Sequence, residues 1–275
     1  MKRARKRPLT VGPDGSEHLA CHNRYLPAMS LAEIEALPSK HRAVVVIPTG
    51  SVEQHGPHLP LGMDTTYGLA LMRDVCEFLP ARAPIYLAPS INYGISDEHL
   101  GFPGTISLSP QTFRRLLLAS ARQIHDLGFR TIAVLRTHGG NSATIIATLR
   151  EIQTTLHMNA CMIAPKWRPP LDEREAEYGI HAGHFETAMM LATVPHLVRM
   201  ERAVAEYPPA SLRTGEVRAF KGPAALSWTT ADVSRSGVIG DPRGATEAEG
   251  REWFKACARS LAEELLRLVT EARRK

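Results

Sequence analysis

Four short runs of consecutive apolar residues, each separated from the next by a helix-length stretch, constrain this chain most. They are Ala43–Pro48, Ile85–Pro89, Thr131–Leu135 and Ala160–Ala164. Their apolar residues are continuous rather than alternating, which reads as strands buried on both faces. Between them lie helical patterns. Thr66 to about Leu79 is one. Ser109-Pro110 opens another, with Pro at the first helical position, an apolar face of Phe113, Leu116, Leu117, Ala121 and Ile124, and Gly128 as its stop. About Ala143–Leu156 is a third. Ser30 followed by Glu33 forms a capping-box pattern for a short helix through about Leu37. A helix runs from near Gly183 through about Ala192, and a last amphipathic one covers about Thr246–Ala272. This alternation predicts an α/β three-layer sandwich with a mainly parallel central sheet flanked by helices.

At 275 residues, with no Pro/Gly/Ser-rich linker, the chain is expected to form one domain over residues 21–275, preceded by a flexible basic arm over 1–20. The net charge of +5 resides in Lys2, Arg3, Arg5, Lys6 and Arg7; without them 28 basic residues face 28 acidic ones. A neutral body gives no reason to expect nucleic acid as a partner. No apolar run has the length of a membrane span, and no apolar segment follows the basic start as in a secretory signal, so a cytoplasmic protein without a membrane partner is expected. Cys21, Cys76, Cys161 and Cys257 are scattered without a CxxC pair, which reads as free thiols in a reducing compartment.

The chemistry-bearing residues gather just beyond the first and third apolar runs and before the helix near Gly183. Glu53-Gln54-His55-Gly56-Pro57-His58-Leu59-Pro60-Leu61-Gly62-Met63-Asp64 follows the first run. Open α/β sheets place their sites beyond the carboxyl ends of their strands. Glu53 and His55 are two residues apart, so in an extended segment both side chains point the same way. Asp64 returns after a Gly- and Pro-containing turn, and His58 reads as a support for a carboxylate rather than a ligand. His138 falls just past the third run, in Thr137-His138-Gly139-Gly140-Asn141. A Gly-Gly pair without the P-loop lysine is not a phosphate motif. Glu186 falls in the first turn of the helix near Gly183, and His181 precedes it. A carboxylate at Glu186 supplies a ligand the His138 segment lacks, and His181 suits a proton shuttle. Bridging carboxylates with imidazoles suit two divalent ions. The long loop Asn92–Thr105, with Ser96 and His99, has the length of a functional loop.

In order and combination, EQHGPHLPLGMD, THGGN, HAGxxET and Gly237-Val238-Ile239-Gly240-Asp241-Pro242-Arg243 resemble the creatininase (creatinine amidohydrolase) family over about residues 40–265. The resemblance implies a parallel-sheet α/β fold, two divalent ions per chain (zinc, manganese or iron) and a homohexamer. It implies Glu53, Asp64 and His138 on one metal, and His55 with a bridging Asp64 on the other. Ser96 and His181 match substrate-side residues. Two departures separate the chain from creatininase itself. Gly139 and Gly140 stand where creatininase has Tyr-Glu, whose Glu is a ligand, so Glu186 is the replacement candidate. Glu177 and Tyr178 stand where it has Trp-Asp. The His-Gly-Gly form resembles the formamide deformylase and mycofactocin precursor peptidase-like members more closely.

The expected activity is metal-dependent hydrolysis of a non-peptide or terminal C–N amide bond (a lactam, formamide or small amide) by a metal-bridged hydroxide. His181 and Glu186 are the expected catalytic residues. Ser96, His99 and Tyr178 are the expected substrate contacts. Glu53, His55, Asp64, His138 and Glu186 are the expected metal ligands. A mononuclear metalloenzyme of another reaction class, or a non-catalytic binding protein that keeps the fold, are the alternatives.

Overall fold

Val44–Thr49 forms β1, and all six of its residues are buried. A run of β-branched residues without alternation suits a strand covered on both sides. Strands β2 (Ile85–Leu87), β3 (Thr131–Arg136) and β4 (Asn159–Ile163) complete a sheet of order β2-β1-β3-β4. Every pairing is parallel, with Val44 opposite both Ile85 and Thr131, and Thr49 opposite Arg136. The structure is a computed structural model that describes residues 23–212 and 226–272. The basic arm and part of the Tyr207–Gly244 stretch lie outside the described residues.

From β1 the chain crosses through α2 (Met63–Phe78) to β2, then back past β1 through α3 (Pro110–Asp126) to β3, and on through α4 (Ser142–Leu156) to β4. Right-handed crossovers in opposite directions put their helices on opposite faces of the sheet. The two cores show this. Val44, Val46, Leu87 and Leu135 pack with α2, α6 (His184–Thr193) and α8 (Glu247–Ala272). Val45, Ile47, Ile132 and Val134 pack with α3 and α4. The direction reverses between β1 and β3, and this switch point is where open α/β sheets open a crevice for a site.

The shorter elements follow local rules. Helix α1 (Leu31–Ala36) carries the expected capping box, with Ser30 and Glu33 exchanging bonds. The Ser109 side chain accepts from the Thr112 N–H at the start of α3, with Pro110 as its first residue. Helix α2 starts three residues earlier than its pattern predicts, because Gly62 serves as its cap without a side-chain bond. Asp64 is therefore in the first turn of a helix, where the helix dipole favours a carboxylate. Helix α5 (Glu173–Tyr178), capped by Asp172, was not legible as a helix in the sequence.

Cysteines correct one expectation. Cys76 is disulfide-bonded, whereas Cys161 and Cys257 are free and Cys21 lies outside the described residues. Among the described residues no helix is long and apolar enough to cross a membrane.

Candidate metal centre

Three loops meet above the β1/β3 switch point. Asn141 ties them: its Nδ2 donates to the Gly50 carbonyl at 3.0 Å, and its Oδ1 accepts from the Ile95 N–H at 2.9 Å. The Thr137 hydroxyl, on the other side, contacts the carbonyls of Thr49 and Asp64, each at 2.9 Å. The ends of β1 and β3, the start of α2 and the 92–105 loop are thereby fixed together.

Glu53, His55, Asp64 and His138 converge there, each at most 4% exposed. His138 Nδ1 is 3.1 Å from Glu53 Oε2 and 3.4 Å from Asp64 Oδ2. His55 Nε2 is 3.8 Å from Glu53 Oε1 and 3.7 Å from Asp64 Oδ1. Two groups are close enough to hold a cation: Glu53 with Asp64 and His138, and Glu53 with His55 and His181. Glu53 is the carboxylate common to both, a role the sequence reading assigned to Asp64. Asp64 also turns one oxygen toward each imidazole.

The imidazoles are oriented as ligands are. His55 Nδ1–H donates to the Glu53 carbonyl at 3.1 Å, and His138 Nε2–H donates to the Ile95 carbonyl at 2.7 Å. Each bond orients its ring and turns the other nitrogen, a lone pair once its proton is displaced, toward the carboxylates. The His181 Nε2–H donates to the Gln54 carbonyl at 2.7 Å, leaving Nδ1 3.9 Å from Glu53 Oε1. Among the described residues four buried side-chain atoms have no hydrogen-bond partner, and two of them, His55 Nε2 and Asp64 Oδ2, lie in this cluster. Buried polar atoms are rarely left so. Facing carboxylates and imidazoles with unspent lone pairs fit a divalent cation.

The electrostatics agree. Burial alone lowers the pKa of His55, but Asp64, Glu186 and Glu53 outweigh it and raise it to about 9. His138 is likewise raised well above its ordinary value against its burial, by Asp64 and Glu53. Burial would raise Glu53, yet His138, His55 and His99 hold it below the usual carboxylate range. Protons on the imidazoles thus supply positive charge that the carboxylates require.

The other expected site residues are placed as follows. Glu186 lies in the first turn of α6, and its Oε2 accepts from the Ala182 N–H at 2.6 Å. Burial raises its pKa to about 7, against the field of the His55 imidazole. Among the described residues it belongs to neither of the two groups close enough to hold a cation. The space beside His138 that a Cβ at Gly140 would enter is filled by the Ile95 carbonyl, His138 Nε2 and the Glu98 carboxylate. Ser96, fully buried, donates to Glu53 Oε2 at 2.6 Å. His99 Nε2 is 3.4 Å from Glu53 Oε1, and burial lowers its pKa to about 4. Both face the Glu53 carboxylate. Tyr178 closes α5, three residues before His181, and its substrate role rests on the chain path alone. His58 pairs with the Thr187 hydroxyl at 2.9 Å rather than with a carboxylate. His184 pairs with Glu249 at 3.2 Å.

Sequence reasoning missed Gln54. Its amide nitrogen sits 2.9 Å from His99 Nδ1 and 3.1 Å from the Gly237 carbonyl, linking two loops far apart in sequence. Its position between two ligand candidates was the available signal.

Parallel strands, a switch-point crevice and a buried carboxylate–imidazole cluster define a metal-dependent hydrolase of α/β architecture. The chain belongs to the creatininase family, described as creatinine amidohydrolase, which it matches over residues 27–265. It is 34% identical over 231 residues to the mycofactocin precursor peptide peptidase of Mycolicibacterium smegmatis, covering 82% of this chain and 85% of that protein. The creatinine amidohydrolase of Pseudomonas putida is 24% identical over 259 residues, covering 87% and 95%. A creatininase mutant solved in a Zn–Zn form has the same fold, with a TM-score of 0.70, 24% identity, and 88% and 96% of the two chains covered.

Proposed function

We propose that the protein hydrolyses a terminal or non-peptide C–N amide bond at a centre of two divalent ions held by Glu53, His55, Asp64, His138 and Glu186. The observation that carries this reading is the pair of partnerless buried atoms, His55 Nε2 and Asp64 Oδ2, inside a ring of oriented ligands. Zinc, manganese and iron all suit such nitrogen and oxygen donors. When bound, such ions lower the pKa of water toward neutrality and polarise a carbonyl oxygen.

The chain's own residues do the rest. Glu53 and Asp64 each span the two imidazoles. Ser96 and His99 act on Glu53, holding its carboxylate in place as supporting groups do. Burial and the neighbouring His55 push the pKa of His181 well below its ordinary value. A neutral imidazole with Nδ1 unprotonated and facing the cluster is suited to take a proton from the attacking water and then pass that proton to the departing nitrogen. The 92–105 loop and the Gly237–Gly240 stretch close over this region and shape what enters.

The substrate class is drawn from the relatives' named activities, those of a precursor peptide peptidase and of a creatinine amidohydrolase, each of which hydrolyses an amide C–N bond. A hexameric assembly in the cytoplasm belongs to the same proposal. The test is metal analysis of natively loaded protein together with a screen of formamides, lactams and short peptides, read by amine release. About two ions per chain and turnover of one class are expected. Fewer than about one ion per chain counts against the centre. A value near one, filled at the tighter Glu53–Asp64–His138 group, assigns a mononuclear enzyme instead.

A further inference from the structure

Glu175 is a buried carboxylate, 2% exposed, that takes no part in the cluster. Burying such a charge is costly unless it is well hydrogen-bonded. Its Oε1 accepts from the His184 N–H at 2.7 Å; its Oε2 accepts from the Asp241 N–H at 2.8 Å and the Tyr207 hydroxyl at 2.9 Å. Among the described residues it has no ion-pair partner, so three neutral donors from three segments hold it. The backbone closes on it directly. A Cβ at Gly179, Gly183 or Gly240 would come within 2.4, 2.2 and 2.8 Å of Glu175 Oε1.

Those segments frame the turn that carries His181. Its backbone pairs with Ile239, at 3.1 Å from the His181 N–H to the Ile239 carbonyl and 2.8 Å in return. Ala182 follows with φ of 52°, a left-handed conformation that a residue with a side chain adopts only where its surroundings enforce it. The Ala182 N–H donates to Glu186. Glu175 bonds the end of this strained turn at His184 and, through the Asp241 N–H, the Ile239-containing segment that pairs with it.

We propose that Glu175 is a positioning residue: it holds the His181–Gly183 turn in its strained form, so that His181 faces Glu53 and the Ala182 N–H meets Glu186. The inference rests on the reading of His181 as proton donor. In Glu175→Gln an amide N–H₂ must face a backbone N–H or the Tyr207 hydroxyl, while side-chain shape is kept.

The experiment uses the full, metal-loaded chain and compares Glu175→Gln and Tyr207→Phe with the parent. The Gln variant is expected to keep its metal content and a KM within about threefold, while kcat falls about 10- to 100-fold, the scale of a small misplacement of a reacting group. Tyr207→Phe, which removes one donor and leaves the charge, is expected to lose less. The loss should be larger for an alkylamide than for an anilide, whose leaving nitrogen needs less proton assistance. Equal losses on both substrates, or unchanged kcat, overturn the proposal. Hydrogen exchange supplies a readout independent of turnover: amides 181–186 should exchange at least about tenfold faster in Glu175→Gln, with the rest unchanged. Unaltered exchange there overturns the inference even if the hydrolase reading stands. Faster exchange in Glu175→Gln, when the parent itself turns over no amide, leaves the positioning intact and sinks the reaction assignment.

Discussion

Metal binding should expel protons from the imidazoles of the centre. The perturbation is titration of metal-free protein with zinc. His55 has a pKa of about 9, and His138 lies well above its ordinary value, each held up by neighbouring carboxylates. At pH 7 a group with a pKa of about 9 is ~99% protonated, so His55 carries a proton that a metal must displace, and His138, shifted in the same direction, adds to it. Glu186, at about 7, adds roughly half a proton if it also becomes a ligand. Filling the centre should therefore release more than about one proton per chain at pH 7, to which any ionisation of metal-held water adds. The sign follows: affinity rises with pH, by roughly tenfold or more per unit near pH 7. Calorimetric titrations in buffers of different ionisation enthalpy measure the count directly. Release of fewer than about one proton at pH 7 would refute the assignment of His55 and His138 as ligands.

Ligand variants should separate by how many ions each residue touches. Glu53→Ala and Asp64→Ala are expected to lose both ions, while His55→Ala keeps about one, as read by elemental analysis; equal depletion in His55→Ala and Asp64→Ala would contradict the spanning role. His181→Ala should keep its metal and lose kcat by about 10²- to 10⁴-fold, and retained turnover would remove its proton-transfer role. Ser96→Ala deletes the bond to Glu53 Oε2, and metal affinity should drop about 10- to 100-fold in a chelator competition; unchanged affinity would make that bond dispensable. Gly250→Ala probes the α6–α8 contact that backs Glu186. A Cβ there would lie 1.9 Å from the Ala188 carbonyl oxygen. Overpacking should cost about 1–3 kcal/mol and outweigh the gain in helix propensity, lowering Tm; a higher Tm would refute the close approach.

The α/β architecture was readable because it is written in local patterns. Continuous apolar runs mark strands buried on both faces, and β1 and β3 appear within one residue of where those runs predict. The capping box at Ser30 and the Ser109-Pro110 start act within four residues, so they too were legible. Helix α5 was not. Its six residues, Glu173–Tyr178, are mostly charged and show no apolar stripe. Cys76 was misread because pairing depends on which chain segments meet, not on spacing alone.

For the centre, residue chemistry at the strand ends was enough to nominate Glu53, His55, Asp64 and His138, since the carboxyl edge of a parallel sheet gathers such loops whatever their separation. The sequence by itself thus determined the layers, the edge that carries the chemistry and the kinds of ligand available there. Only the tertiary structure decided which oxygen faces which nitrogen. It made Glu53 common to both groups, turned Ser96 and His99 onto that carboxylate and set Glu175 beside the His181 turn. Those contacts join residues as many as 128 positions apart. A few ångströms of packing between loops separate a ligand from its support, and no local pattern along the chain encodes that distance.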